Sequence, residues 1–150
     1  MSKAKLRAAT VGGSADEIEA AFYEALRLGD IDKLMACWAD EDDIVCVHPG
    51  GPRIIGASAI RASFEAMFEN GGAILAHPNH VRKVETITSA MHNLVEQVEI
   101  QTQQGAQTGF VMATNVYQRT AQGWRMVAHH ASPGTRVEVS DIVSTPAILH

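Results

Sequence analysis

From about Asn79 onward, apolar residues in this 150-residue chain recur at every second position, whereas before it they recur at every third and fourth. That change of period means helices first, each burying one stripe, and then strands, each burying one face. Four extended segments, roughly 79–90, 92–103, 107–120 and 123–131, read as an antiparallel meander. Turns are expected at Ala90-Met91, Gln104-Gly105 and Ala121-Gln122-Gly123. Strands about twice the usual length have to twist and curl to pack on helices. The expected fold class is α+β, with three N-terminal helices on one face of a curved antiparallel β-sheet.

The helices announce themselves by caps and spacing. Ser14 with Glu17 forms a capping box ahead of Ile18, Ala21, Phe22, Ala25 and Leu26, and Gly29 ends the pattern. Asp30 caps a shorter helix whose apolar positions are Ile31, Leu34, Met35 and Trp38. Ile44–Val47 is a short β-branched strand closed by His48 and the turn Pro49-Gly50-Gly51-Pro52, with Arg53–Ile55 as a second short strand. A third helix follows Gly56, with Ile60, Phe64, Met67 and Phe68 on one face and Asn70-Gly71-Gly72 as its stop. Residues 1–13 and 133–150 read as tails around one domain over 14–132.

Charge and composition exclude several classes. The formal net charge is -5 and the chain has no clustered basic stripe, so no nucleic-acid partner is expected. No apolar run is long enough to cross a membrane and no secretory leader is evident, which points to a cytoplasmic protein with no membrane partner. Cys37 and Cys46 lack metal or redox spacing and read as buried thiols. Patterns such as GxxxxGK[ST] and GxSxG are absent, so no nucleotide cofactor and no serine-hydrolase chemistry are expected.

Five polar residues on the strands could carry chemistry. His48 ends a buried strand beside a rigid turn, and an imidazole near neutrality accepts protons well, although it could equally hold the turn through a loop carbonyl. Glu96 alternates with Leu94, Val98 and Ile100, so its carboxylate must be paired, for example with Arg82 or Arg125, or have a raised pKa. Asn115 shares a face with Val111, Ala113 and Tyr117 in a strand with two buried-looking faces and needs partners from protein, water or ligand. His129 and His130 diverge, with Arg125 and Val127 on the side of His129 and Trp124, Met126 and Ala128 on the other. No HxH, HExxH or carboxylate triad accompanies His48 with either of them, so no metal site is expected.

The run FYEALRLGDIDKLMACWADEDDIVCVHPGGPRIIGASAIRASFEAMF, with GWRMVAHHAS near the end, resembles the SnoaL-like and ketosteroid-isomerase-like group of the nuclear transport factor 2-like superfamily over about residues 14–132. The resemblance implies a cone-shaped sheet around the helices, an apolar pocket open at one end, a small apolar or cyclic ligand, and a homodimer formed through the sheet's outer face. It also implies a cofactor-independent isomerase, cyclase or lyase, or else a non-catalytic binding or dimerisation module, because one fold hosts many functions. Ketosteroid isomerases place an aspartate base before a proline, and His48 before Pro49 matches that position. Phe22 stands where they carry a tyrosine, with Tyr23 one position on, about 100° around the helix. Asn115 stands where they carry a protonated aspartate. These departures argue against steroid isomerisation itself. They leave His48 and Asn115 as candidate catalytic residues, and Phe22, Tyr23, Trp38, Phe64, Phe68, Glu96 and His129 as candidate ligand contacts.

Overall fold

The computed structural model describes residues 12–134 and 141–144. Helix α1 (Ala15–Leu28) begins where the Ser14 hydroxyl accepts the Glu17 N–H at 3.1 Å, while Glu17 accepts the Gly13 N–H at the same distance. It ends at Gly29, whose φ of 64° and ψ of 30° suit a residue without a Cβ. Asp30 accepts the Lys33 N–H and opens α2 (Ile31–Ala36). Trp38 lies beyond this helix, contrary to its spacing. The chain after Cys37 docks on the last strand instead, with Met126 N–H donating to Cys37 O and Ala39 N–H to Met126 O.

Strands β1 (Val45–Val47) and β2 (Arg53–Ile55) precede α3 (Ala57–Gly71) and the meander β3 (Ala76–Glu85), β4 (Ser89–Thr102), β5 (Gly105–Thr120) and β6 (Gly123–Pro133). The six strands form one curved, unclosed sheet in the order β2-β1-β6-β5-β4-β3. All neighbours are antiparallel except β1 and β6, which run parallel with Cys46 opposite His129. No hairpin joins those two, so turn geometry does not impose their direction. The first long hairpin turns at Thr86-Ile87-Thr88 rather than at Ala90-Met91. The Thr86 hydroxyl accepts the N–H groups of Thr88 and Ser89, a local turn that β-branched residues disguise as strand.

A β-bulge corrects the alternation in β6. Ala128 pairs with Val116 but Met126 pairs with Tyr117, leaving Val127 as the extra residue. Met126 is therefore fully buried with His129 and Ala131 on the inner face, not grouped with Ala128 and His130. On β5, Ala113, Asn115 and Tyr117 face inward and are buried, while Met112, Thr114 and Val116 on the outer face are only half-buried. The core lies between this inner face and α1, where Ile18, Phe22, Tyr23, Ala25 and Leu26 are all buried. Cys37 and Cys46 are free thiols, and burial pushes both up to about 12, with the Glu96 charge adding to the effect at Cys46. Among the described residues, no helix is long and apolar enough to cross a membrane. The expectations for residues 1–11, 135–140 and 145–150 lie outside the described residues, and residues 141–144 carry no regular structure.

Candidate functional site

The sheet's curvature lets α1 bury an arc wider than one residue. Phe22 and Tyr23 are both enclosed, their rings edge-to-face at 5.1 Å, so the turn of the helix between them does not send Tyr23 to solvent. The Tyr23 hydroxyl donates to Glu96 Oε2 at 2.7 Å and accepts from Asn115 Nδ2 at 3.0 Å. Asn115 Oδ1 lies 2.6 Å from His129 Nδ1, and since an amide oxygen only accepts, Nδ1 carries the hydrogen. Register explains the meeting: Asn115 pairs directly with His129, and Glu96 lies on the inner face of the adjoining strand. Four polar side chains from α1, β4, β5 and β6 thus form one hydrogen-bonded chain, each at least nine-tenths buried.

Burial sets the ionisation of this chain. It raises the Glu96 carboxyl to about 7, with the Tyr23 hydrogen bond working the other way. It also holds the Tyr23 phenol well above its ordinary range, with the negative charge of Glu96 adding to the effect. His129 is pushed down to about 3 by burial and then by the charges of His48 and His130, so its imidazole is neutral with a lone pair on Nε2. Glu96 finds its partner in a tyrosine rather than in Arg82 or Arg125. The Arg125 guanidinium instead donates to the Trp124 carbonyl at 2.7 Å.

His48 joins this group through rings rather than hydrogen bonds. Its imidazole meets Phe64 edge-to-face at 4.8 Å, Phe64 meets Phe22 at 6.2 Å, and Phe22 meets His129 at 5.3 Å. Its Nε2 lies 3.0 Å from Ser63 Oγ, and Ser63 Oγ donates its single hydrogen to Ile60 O at 2.7 Å. His48 is then the donor to Ser63, which leaves the Nδ1 lone pair available. Burial lowers its pKa, so the half-buried ring is neutral at pH 7. Phe68 is half-buried 6.5 Å from Phe64, and Trp38 is buried with its Nε1 unpaired.

A cavity of about 120 Å³ opens elsewhere, lined by Ser14, Ala15, Asp16, Glu85, Thr86, Ala90 and Trp124 and by none of the nine candidate residues. Beside it, His92, Glu19 and Tyr117 form a second buried polar group, in which Tyr117 donates to Glu19 Oε1 at 3.3 Å. Sequence reasoning passed over this group and Ser63. A signal existed for Ser63, which shares helical spacing with Ile60, Phe64 and Met67, and for Glu19, which shares it with Phe22 and Tyr23.

A curved open sheet wrapped on three helices, with polar side chains gathered on its inner face, defines a protein of the NTF2-like, cystatin-like-fold class. The SnoaL-like domain model matches residues 16–136, and the chain belongs to that family. A crystal structure of a candidate calcium/calmodulin-dependent protein kinase type II association domain from Thiobacillus denitrificans is similar at 33% identity and a TM-score of 0.76, covering 83% of this chain and 98% of that one. A candidate dehydratase of the NTF2-like family from Streptomyces avermitilis is similar at 29% identity and a TM-score of 0.70, covering 78% and 91%. A protein of unknown function with a cystatin-like fold from Nostoc punctiforme shares the fold at 15% identity and a TM-score of 0.66, covering 79% and 87%. No curated protein matches the sequence.

Proposed function

We propose that the inner face binds a small apolar or cyclic carbonyl compound and that His48 is its general base. The observation that carries this reading is the pairing of a neutral imidazole, its Nδ1 lone pair free, with the buried Glu96–Tyr23–Asn115–His129 chain across the Phe22 and Phe64 rings. His48 Nδ1 takes a proton from the carbon beside the carbonyl, the electron pair of that C–H bond becomes a carbon–carbon double bond, and the carbonyl π pair moves onto the oxygen to give an enolate. The protonated form of Glu96, its other oxygen held by the Tyr23 hydroxyl, is the hydrogen-bond donor for the enolate oxygen, which a low-dielectric site stabilises strongly. Return of the proton to another carbon completes an isomerisation, and expulsion of a neighbouring group completes an elimination. Asn115, enclosed and bonded on both sides, contributes by holding Tyr23 and His129 in place. Phe22, Trp38, Phe64 and Phe68 supply the apolar walls, and the scheme uses only the chain's own groups.

The chain acts as a homodimer through the outer face of β4 and β5, where Phe110, Met112 and Val116 are half-buried, and works in the reducing cytoplasm, where Cys37 and Cys46 stay thiols. The Thiobacillus relative's description as an association domain supports self-assembly. A monomer mass by light scattering would overturn the dimer.

A second reading, a non-catalytic binding or dimerisation module, draws on the closure of the polar chain, whose members satisfy one another inside the protein. Ligand-observed NMR with a panel of small cyclic ketones separates the two. The catalytic reading expects binding that weakens in Phe68→Ala, together with a chemical change in the ketone. Binding without change favours the module, and no binding at all removes the ligand site.

A further inference from the structure

His92 lies on β4 beside Asn115, with its ring packed on Tyr117 at a centroid distance of 4.9 Å and no exposed surface. Its Nδ1 is 3.1 Å from Glu19 Oε1, and its Nε2 is 3.5 Å from Glu85 Oε1 and 3.8 Å from Asp16 Oδ1. These approaches are close but misaligned, and neither ring nitrogen makes a hydrogen bond of acceptable geometry. A fully buried imidazole facing carboxylates without aligned hydrogen bonds is costly unless something else engages it.

The surroundings suit a cation. One ligand atom from each of Asp16, Glu19 and His92 lies within 4.8 Å of the other two. Three carboxylates face one ammonium, that of Lys83, 2.8 Å from Asp16 Oδ1; burial works to lower the His92 pKa but Glu19, Glu85 and Asp16 raise it overall, and even with that imidazole protonated the group keeps a net negative charge. Asp16 and Glu85 also line the cavity of about 120 Å³, which has room for water ligands. An imidazole with carboxylates favours first-row transition ions over calcium or magnesium.

We propose that Asp16, Glu19 and His92 bind a divalent transition-metal ion of the Zn²⁺ or Mn²⁺ class, with Glu85 closing the negative wall and cavity water filling the remaining positions. Bonds of about 2.0–2.2 Å put neighbouring ligand atoms about 3–3.5 Å apart, so the side chains draw in slightly and Lys83 releases Asp16. Tyr117, donating to Glu19, steadies one ligand from behind.

Calorimetric titration of the chelator-treated full chain with Zn²⁺ or Mn²⁺ alone tests this, with melting temperature as a second readout. The expected result is a single ion per chain that raises the melting temperature. Asp16→Asn, at an exposed side chain, weakens binding by about tenfold or more, while Lys83→Ala strengthens it by removing a competitor. No binding of either ion overturns the proposal, and so does binding unchanged in Asp16→Asn, which would place the ion on exposed histidines such as His77 and His130. His92→Gln abolishes binding if it folds, and the surface variants decide the matter if it does not.

Discussion

The Tyr23 hydroxyl donates to Glu96 Oε2 at 2.7 Å, joining residues 73 positions apart inside the curve of the sheet. Helix α1 and strand β4 are thereby tied through a buried polar contact, and Asn115 and His129 extend the tie to β5 and β6. Such networks hold one arrangement of the core because each member would be stranded by the loss of its neighbour.

Removing that hydroxyl strands two groups at once. Tyr23→Phe should cost about 1–3 kcal/mol of stability, since Glu96 and Asn115 keep their buried polar atoms and lose a partner. Urea denaturation measures it. A change within error would mean that Glu96 and Asn115 find other partners.

Glu96 makes stability depend on pH in an unusual direction. Burial raises its pKa to about 7 from an ordinary 4.5, so between those values the folded chain holds a proton that the unfolded chain has released. Its contribution is complete below the lower value and is lost as pH rises through the upper one. Glu96→Gln stays neutral throughout and should gain stability relative to the native protein across that window, with level differences on either side. Denaturant midpoints at about pH 5 and about pH 8 give the comparison, and a constant difference would contradict it.

His129 works in the opposite sense. Its folded pKa, pushed down to about 3 from 6.5 by burial and by neighbouring histidine charges, means that the unfolded chain takes up the proton first. The stability it contributes is present above the higher value and is lost as pH falls towards the lower one. Its ¹⁵N NMR signals should report a neutral Nδ1–H imidazole down to about pH 4, and a protonation midpoint near the ordinary histidine value of about 6.5 would contradict the burial argument.

Sequence reading recovered the three helices and the four long strands because caps and spacing are local signals, and Ser14, Asp30 and Gly29 act as their types imply. It misplaced the β3–β4 turn, since Thr86, Ile87 and Thr88 favour strands by type while the Thr86 hydroxyl builds a turn. It missed the bulge at Val127, because alternation counts residues and a bulge adds one. Glu96 and Asn115 were legible as polar residues in buried rows, whereas alternation only set His129 and His130 on opposite faces and did not say which of them points inward. That Tyr23 would join Glu96, Asn115 and His129 was not legible, since it depends on how far the sheet curls around α1.

Ser63 sets the tautomer of His48. Ser63→Ala removes the acceptor for Nε2–H, and the His48 nitrogen chemical shifts should move towards a mixture of tautomers. The loss of stability should be about 0.5–1.5 kcal/mol, since the site is half-buried. Unchanged shifts would place the His48 hydrogen on Nδ1 and remove its lone pair from the proposed role.

The central claim is that His48 moves a proton on a carbonyl compound. NMR of a bound cyclic ketone in deuterated buffer reads this directly as exchange at the carbon beside the carbonyl. The native chain should accelerate exchange, and His48→Ala should lower that rate by about 10²–10⁴-fold while melting close to the native temperature. Exchange at the native rate in His48→Ala, with its fold intact, would contradict the account.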